Sequence, residues 1–95
     1  MNAKDPGSLA ARAAVLFEQD DWKYVQTNDP KDLFKSAFAD CGTALQIAPN
    51  EPLALMIRGL IYWRARETDK AGEDFKAAAS ASGRARMLLR KYLKN

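Results

Sequence analysis

The chain has 95 residues, no histidine and one cysteine, with 15 basic and 12 acidic side chains and a net charge of +3. That length holds one domain with a modest core. The missing histidine removes the commonest general base, and a single cysteine makes neither an internal disulfide nor an ordinary zinc site.

Taken in order, residues 1–7 read as a frayed start broken by Pro6-Gly7, with Ser8 as the cap of a first helix. Leu9, Ala10, Ala13, Leu16 and Phe17 recur at helical spacing. The helix then either stops near Asp20 or runs on through Trp22 and Val25. Two aspartates at a helix C-terminus would meet partial charge of like sign, which favours continuation. Thr27-Asn28-Asp29-Pro30 is a break and a restart: Asp29 caps, Pro30 suits the first turn, and Asp32 reaches back. The second helix carries an apolar stripe of Leu33, Phe34, Ala37, Phe38, Cys41, Ala44, Leu45 and Ala48.

Pro49-Asn50-Glu51-Pro52 ends that helix, and Asn50 or Glu51 caps a third, which has Pro52 in its first turn and runs to about Arg66. A fourth starts at Thr68 or Asp69 and turns Ala71, Phe75, Ala78 and Ala79 inward. Ser82-Gly83 ends it, with Gly83 as a left-handed terminal residue. A short fifth helix from Arg84 sets Ala85, Leu88, Leu89 and Tyr92 against a basic face of Arg84, Arg86, Arg90, Lys91 and Lys94. No stretch alternates as a strand does. The expectation is an all-α fold of about five helices, with neighbours packed as antiparallel hairpins.

Charge is unevenly spread. Residues 1–50 carry five basic and seven acidic side chains, and residues 51–95 carry ten and five, giving −2 and +5. The basic end suits the C-terminus of a helix, and it would also attract nucleic acid, anionic lipid or an acidic protein face. Aromatic residues for base stacking do not accompany it, so nucleic acid ranks below protein as a partner. No apolar run approaches the roughly 18 residues that span a bilayer. The first residues lack the pattern of a signal peptide, so a cytoplasmic protein is the expectation.

Little here suits catalysis. Cys41 lies on an apolar stripe without a base, and reads as core. Asp20-Asp21 and Glu73-Asp74 are adjacent pairs, which point in different directions on a helix. No glycine-rich phosphate loop occurs. The expectation is a binding protein, not an enzyme, without cofactor or metal.

Shifting the chain on itself by 34 residues lays Ala37 on Ala71, Asp40 on Asp74, Cys41 on Phe75, Ala44 on Ala78 and Pro49 on Gly83. A fixed period of this length marks stacked helical hairpins. Gly59-x2-Tyr62, Ala71-x3-Phe75-x2-Ala78 and the upstream Ala37-x3-Cys41-x2-Ala44-x4-Pro49 resemble the tetratricopeptide repeat (TPR) family. The departures are Leu55 for Trp, Arg58 for Leu and Gly83 for Pro. The small residues Gly59 and Ala71 allow two helix axes to approach, while Tyr62 and Phe75 fill the space beside them. A polar residue at position 58 has to lie near the surface or snorkel.

The resemblance implies a short right-handed superhelix. Residues 8–49 form an irregular first hairpin with an insertion near 18–29, residues 52–82 a complete one, and residues 84–94 a basic capping helix. Ala13 is the counterpart of Gly59 but lies 24 residues before Ala37, whereas Gly59 lies 12 before Ala71. The extra residues hold Trp22 and Tyr24, either as a partner contact or as a helix extension packed on a neighbour. Helices equivalent to the third line the family's concave groove, which implies Leu53, Met56, Leu60, Trp63 and Arg64 as a groove for a peptide or helix. Their alternative role is burial against the first hairpin or a second copy. The lysine and asparagine of the family's carboxylate clamp are absent. Two hairpins are fewer than the three units such stacks usually need. The expected function is therefore an adaptor that binds another protein, or an assembly subunit working as an obligate homo- or hetero-oligomer.

Overall fold

The computed structural model describes residues 5–27, 33–84, 86–87 and 90. Among them are four α-helices and no strand: α1 (Pro6–Thr27), α2 (Lys35–Ile47), α3 (Pro52–Arg64) and α4 (Thr68–Ala81). The expected fifth helix falls largely on Ala85, Leu88, Leu89 and residues 91–95, which lie outside the described residues. No described helix is long and apolar enough to cross a membrane.

The helix starts show where local rules suffice. Asp5 caps α1: its Oδ2 accepts from the Ser8 N–H at 3.2 Å and the Ser8 hydroxyl at 2.8 Å. Pro6 is therefore the first helical residue and not part of a break, because a proline has no N–H to leave unpaired there. Ser8 supplies a donor to the cap and is not itself the cap. At α3 the Glu51 carboxylate accepts from the Ala54 N–H at 2.7 Å, with Pro52 first in the helix.

α1 runs unbroken over residues 18–27 of the segment read as an insertion, to Thr27. α2 starts later than its apolar stripe implies. Asp29, Pro30 and Asp32 lie outside the described residues, while Leu33 and Phe34 precede the helix. Phe34 takes φ 69°, ψ 3°, a left-handed conformation unusual for a bulky residue. Its N–H donates to Asp20 Oδ2 at 2.7 Å, and its buried ring stacks on Phe17 at 5.1 Å and leans on Tyr24 at 6.2 Å. Three residues of α1 thus decide where α2 begins.

α3 ends at Arg64. Arg66 is left-handed at φ 67°, its N–H donates to Trp63 O at 3.1 Å, and the Glu67 N–H donates to Tyr62 O at 2.9 Å. This is a Schellman motif with arginine where glycine is preferred. Gly83 does not play that part after α4: no described glycine has positive φ, and the chain leaves the helix through an extended Ser82.

α1 pairs with α2 and α3 with α4, while α3 also lies against α1 and α2; among the described helices α4 touches α3 alone. Late α1 meets early α2 at Asp20 and Phe34, and late α3 meets early α4 at Tyr62 and Lys70, so both pairs are antiparallel. α3 is central. It buries Ala54, Leu55, Met56, Ile57, Gly59, Leu60 and Ile61, which cover most of its circumference.

Candidate functional site

Both hairpins are braced by the same bridge. Arg12 of α1 gives Nε and Nη2 to the two carboxylate oxygens of Asp40 on α2, at 2.7 and 2.8 Å. Arg58 of α3 grips Asp74 of α4 in the same way, at 2.8 Å twice. Both aspartates are buried, and the fork-to-fork geometry satisfies both oxygens. The hydrogen bond that Arg58 donates to Asp74 lifts Arg58 above its ordinary pKa, as the bond Arg12 donates to Asp40 does for Arg12. Arg58 is therefore no misfit at an apolar position: it lies half-buried with its charge paired, and its guanidinium is 5.9 Å from the Tyr62 ring. The sequence carried a signal for this, since Asp40 and Asp74 overlay at a shift of 34. Their arginine partners went unread.

Next to each arginine sits a small residue. A Cβ at Gly59 would lie 2.6 Å from the Phe75 ring and 3.2 Å from Asp74 Cβ, so the absence of a side chain sets how closely α3 and α4 approach. In the first hairpin Ala13 holds that place, opposite a helix that carries Cys41 where α4 has Phe75; Ala13 and Cys41 are both fully buried. Burial pushes the Cys41 thiol up to about 12, which keeps it protonated at neutral pH and removes the thiolate a nucleophile needs.

The expected groove residues separate. Met56 and Leu60 are buried at 4% and 5%, packed in the core with Leu9, Ala10 and Phe17 of α1. They are therefore part of the core between α1, α2 and α3 and not an open ligand surface. Leu53 is partly buried on the same core. Arg64 is half-buried and tied to α1: it gives Nε and Nη2 to Asp21 at 2.6 and 3.0 Å and sits 5.5 Å from the Tyr24 ring. Trp63 alone of the five stays largely open, at 46% exposure, with its ring 6.4 Å from Phe75.

The segment 18–27 is thus mostly structural. Asp20 caps α2, Asp21 binds Arg64, and Tyr24 lies against Phe34 and Arg64. Trp22 is 68% exposed, on the same side of α1 as Val15, which is 56% exposed. Arg86 and Arg90 are exposed past α4, while Lys91 and Lys94 lie outside the described residues.

A second apolar surface went unseen in the sequence. Leu33, Phe34, Phe38, Ile61, Tyr62 and Ala65 line a cleft of about 350 Å³ between early α2 and late α3, with Lys35 and Glu67 at its edge. Phe38 stands edge-on to Tyr62 at 5.5 Å. No signal in the chain pointed there, because α2 and α3 are joined at their other ends. Among the described residues no group of three or more acidic or cysteine side chains converges as a metal site would require.

Compared with protein-family models, curated proteins and solved structures, the chain matches none.

Proposed function

We propose that this chain is a non-enzymatic protein-interaction module built from two TPR-like hairpins, the first lengthened in its leading helix. It binds a peptide or helix of a partner protein against the open side of α3. The observation that carries this reading is the recurrence of one brace: the same bidentate Arg–Asp pair, with a small residue after each arginine, Ala13 in the first hairpin and Gly59 in the second. The offset is 46 residues between Arg12 and Arg58 and 34 between Asp40 and Asp74, as a unit with a longer first helix demands. Stacked hairpins of this kind present side chains of their leading helices to ligands. On α3 that leaves Trp63, a large amphipathic ring of the type that anchors interfaces.

The experiment is affinity capture from the native cell with the parent and Trp63→Ala side by side. Trp63 is half exposed, so its removal leaves the fold largely intact, which a thermal melt checks. The expected result is a protein that accompanies the parent and is depleted at least tenfold with the variant. Equal recovery by both chains overturns the assignment to this side of α3. Leu60 does not serve as a second test position, since a charge there would enter the core.

A further inference from the structure

α1 changes character at Phe17. Up to that ring it is held by burial, with Leu9, Ala10, Ala13 and Phe17 in the core. Beyond it no described side chain of α1 is buried. What ties this end down is polar and aromatic. Asp20 accepts from the Phe34 N–H at 2.7 Å, and Asp21 takes both Nε and Nη2 of Arg64. The Tyr24 ring lies 6.2 Å from the Phe34 ring and 5.5 Å from the Arg64 guanidinium. A segment without buried side chains opens at lower cost than the core it extends from.

We propose that the end of α1 is a latch on a ligand site formed by Arg64 and Phe34, and that an acidic-aromatic segment of a partner protein replaces it there. This rests on the reading of α3 as the ligand-facing helix. The internal occupant defines the chemistry of the external one. Arg64 offers the Nε–Nη2 edge, which a carboxylate fits with two parallel bonds, and a planar face, which an aromatic ring covers. Asp21 and Tyr24 supply those two groups from positions one helical turn apart. A partner helix with a carboxylate at one position and an aromatic ring a turn later makes the same pair of contacts. Trp63 precedes Arg64 in α3 and is 46% exposed, so it is open to a further apolar residue of that helix.

Phe34 gives the latch its second state. The Asp20 carboxylate holds it at φ 69°, a conformation costly for a bulky residue. Leu33 and Phe34 continue the apolar stripe of Ala37 and Cys41, a pattern that favours helix. When Asp20 leaves, Phe34 is free to take helical backbone at the start of α2. Docking of the α1 end therefore works against the local preference of α2, which lowers the cost of release.

The test has two parts, both on the full chain. Hydrogen exchange of the parent is read at the amides of residues 21–26 and at those of α3. The expected result is one shared opening across 21–26, with protection at least about tenfold below that of α3. Protection equal to that of α3 overturns the proposal, as does protection that fades residue by residue toward Thr27 like a frayed end. The second part follows the fluorescence anisotropy of a labelled peptide with the sequence of residues 16–27. Asp21→Asn/Tyr24→Ala removes the internal occupant, and circular dichroism with a thermal melt checks the fold. If that chain does not fold, the exchange result on the parent decides. The released chain is expected to bind the peptide at least about tenfold more tightly than the parent, whose own α1 end competes at high effective concentration. Adding Arg64→Gln, or placing the same two substitutions in the peptide instead, should abolish that gain. Equal binding by parent and released chain overturns the proposal, as does binding that survives Arg64→Gln. Trp63 is no part of the latch. A partner lost with Trp63→Ala while the peptide binds neither chain sinks this inference alone. A peptide bound through Arg64 while Trp63→Ala recovers as much partner as the parent overturns only the assignment at Trp63.

Discussion

Arg58 and Asp74 hold α3 to α4 by two parallel hydrogen bonds of 2.8 Å, one to each carboxylate oxygen. Asp74 is buried beneath the arginine, so the pair is a fixed point of the hairpin and not a surface contact. Asp74→Ala leaves the half-buried guanidinium unpaired and is expected to destabilise the chain by about 1–3 kcal/mol. The double variant Arg58→Leu/Asp74→Ala should recover part of that loss, because no charge is then left without a partner. Urea denaturation of the three chains gives the coupling. An Asp74→Ala chain as stable as the parent would mean that the bridge contributes nothing.

Gly59→Ala adds a Cβ at 2.6 Å from the Phe75 ring, and something has to shift. The better helix propensity of alanine offsets part of the cost, so a net loss of about 1–2 kcal/mol is expected. In a Phe75→Cys background, which reproduces the Ala13 and Cys41 combination of the first hairpin, the same substitution should be neutral or stabilising. A double-mutant cycle with no coupling would show that the ring does not set the helix approach.

Arg66 holds the left-handed position of the Schellman motif at φ 67°. Glycine adopts that conformation without a Cβ penalty, so Arg66→Gly should stabilise the chain by about 0.5–1 kcal/mol, net of the extra freedom it gives the unfolded state. The readout is a thermal midpoint raised by a few degrees. A lowered midpoint would show that the arginine side chain contributes more than its backbone strain costs.

Asp20→Ala removes the acceptor for the Phe34 N–H while leaving α1 a good helix. A loss of about 1–2 kcal/mol is expected, in the range of a helix cap. Hydrogen exchange should localise it, with amides in the first turn of α2 losing protection before those of α3 and α4. Uniform loss across all four helices would argue against a local capping role.

Cys41 links stability to alkaline pH. Its thiol is raised from an ordinary value of 9.0 to about 12, first by burial, with Arg58 opposing and Asp40, Asp74 and Glu51 adding. Below about pH 9 the thiol is protonated in both states, and its contribution is constant. Above that, the unfolded chain releases a proton that the folded chain keeps, so stability falls as pH rises toward 12. The slope is at most about 1.4 kcal/mol per pH unit. Cys41→Ala should lose less stability than the parent between about pH 9 and about pH 11, whatever its starting value. Parallel curves would show that the buried thiol is not the group responsible.

The sequence alone determined what depends on neighbours within a few residues. Helical spacing of Ala37, Cys41 and Ala44 indicated the all-α class, Pro52 after Asn50 or Glu51 the start of α3, and the small residues Gly59 and Ala71 the close approach of two helices. These follow from periodicity, capping and side-chain size, which are local. Tertiary structure decided the rest. Where α2 begins depends on Asp20, 14 residues upstream, and Arg64 is taken by Asp21, 43 residues away. Met56 and Leu60 belong to the core because α1 and α2 pack on α3 and enclose them in one buried cluster with Leu9, Phe17 and Ala37. A helical stripe shows that a face is apolar, but only the packing of distant segments decides whether that face is core or surface.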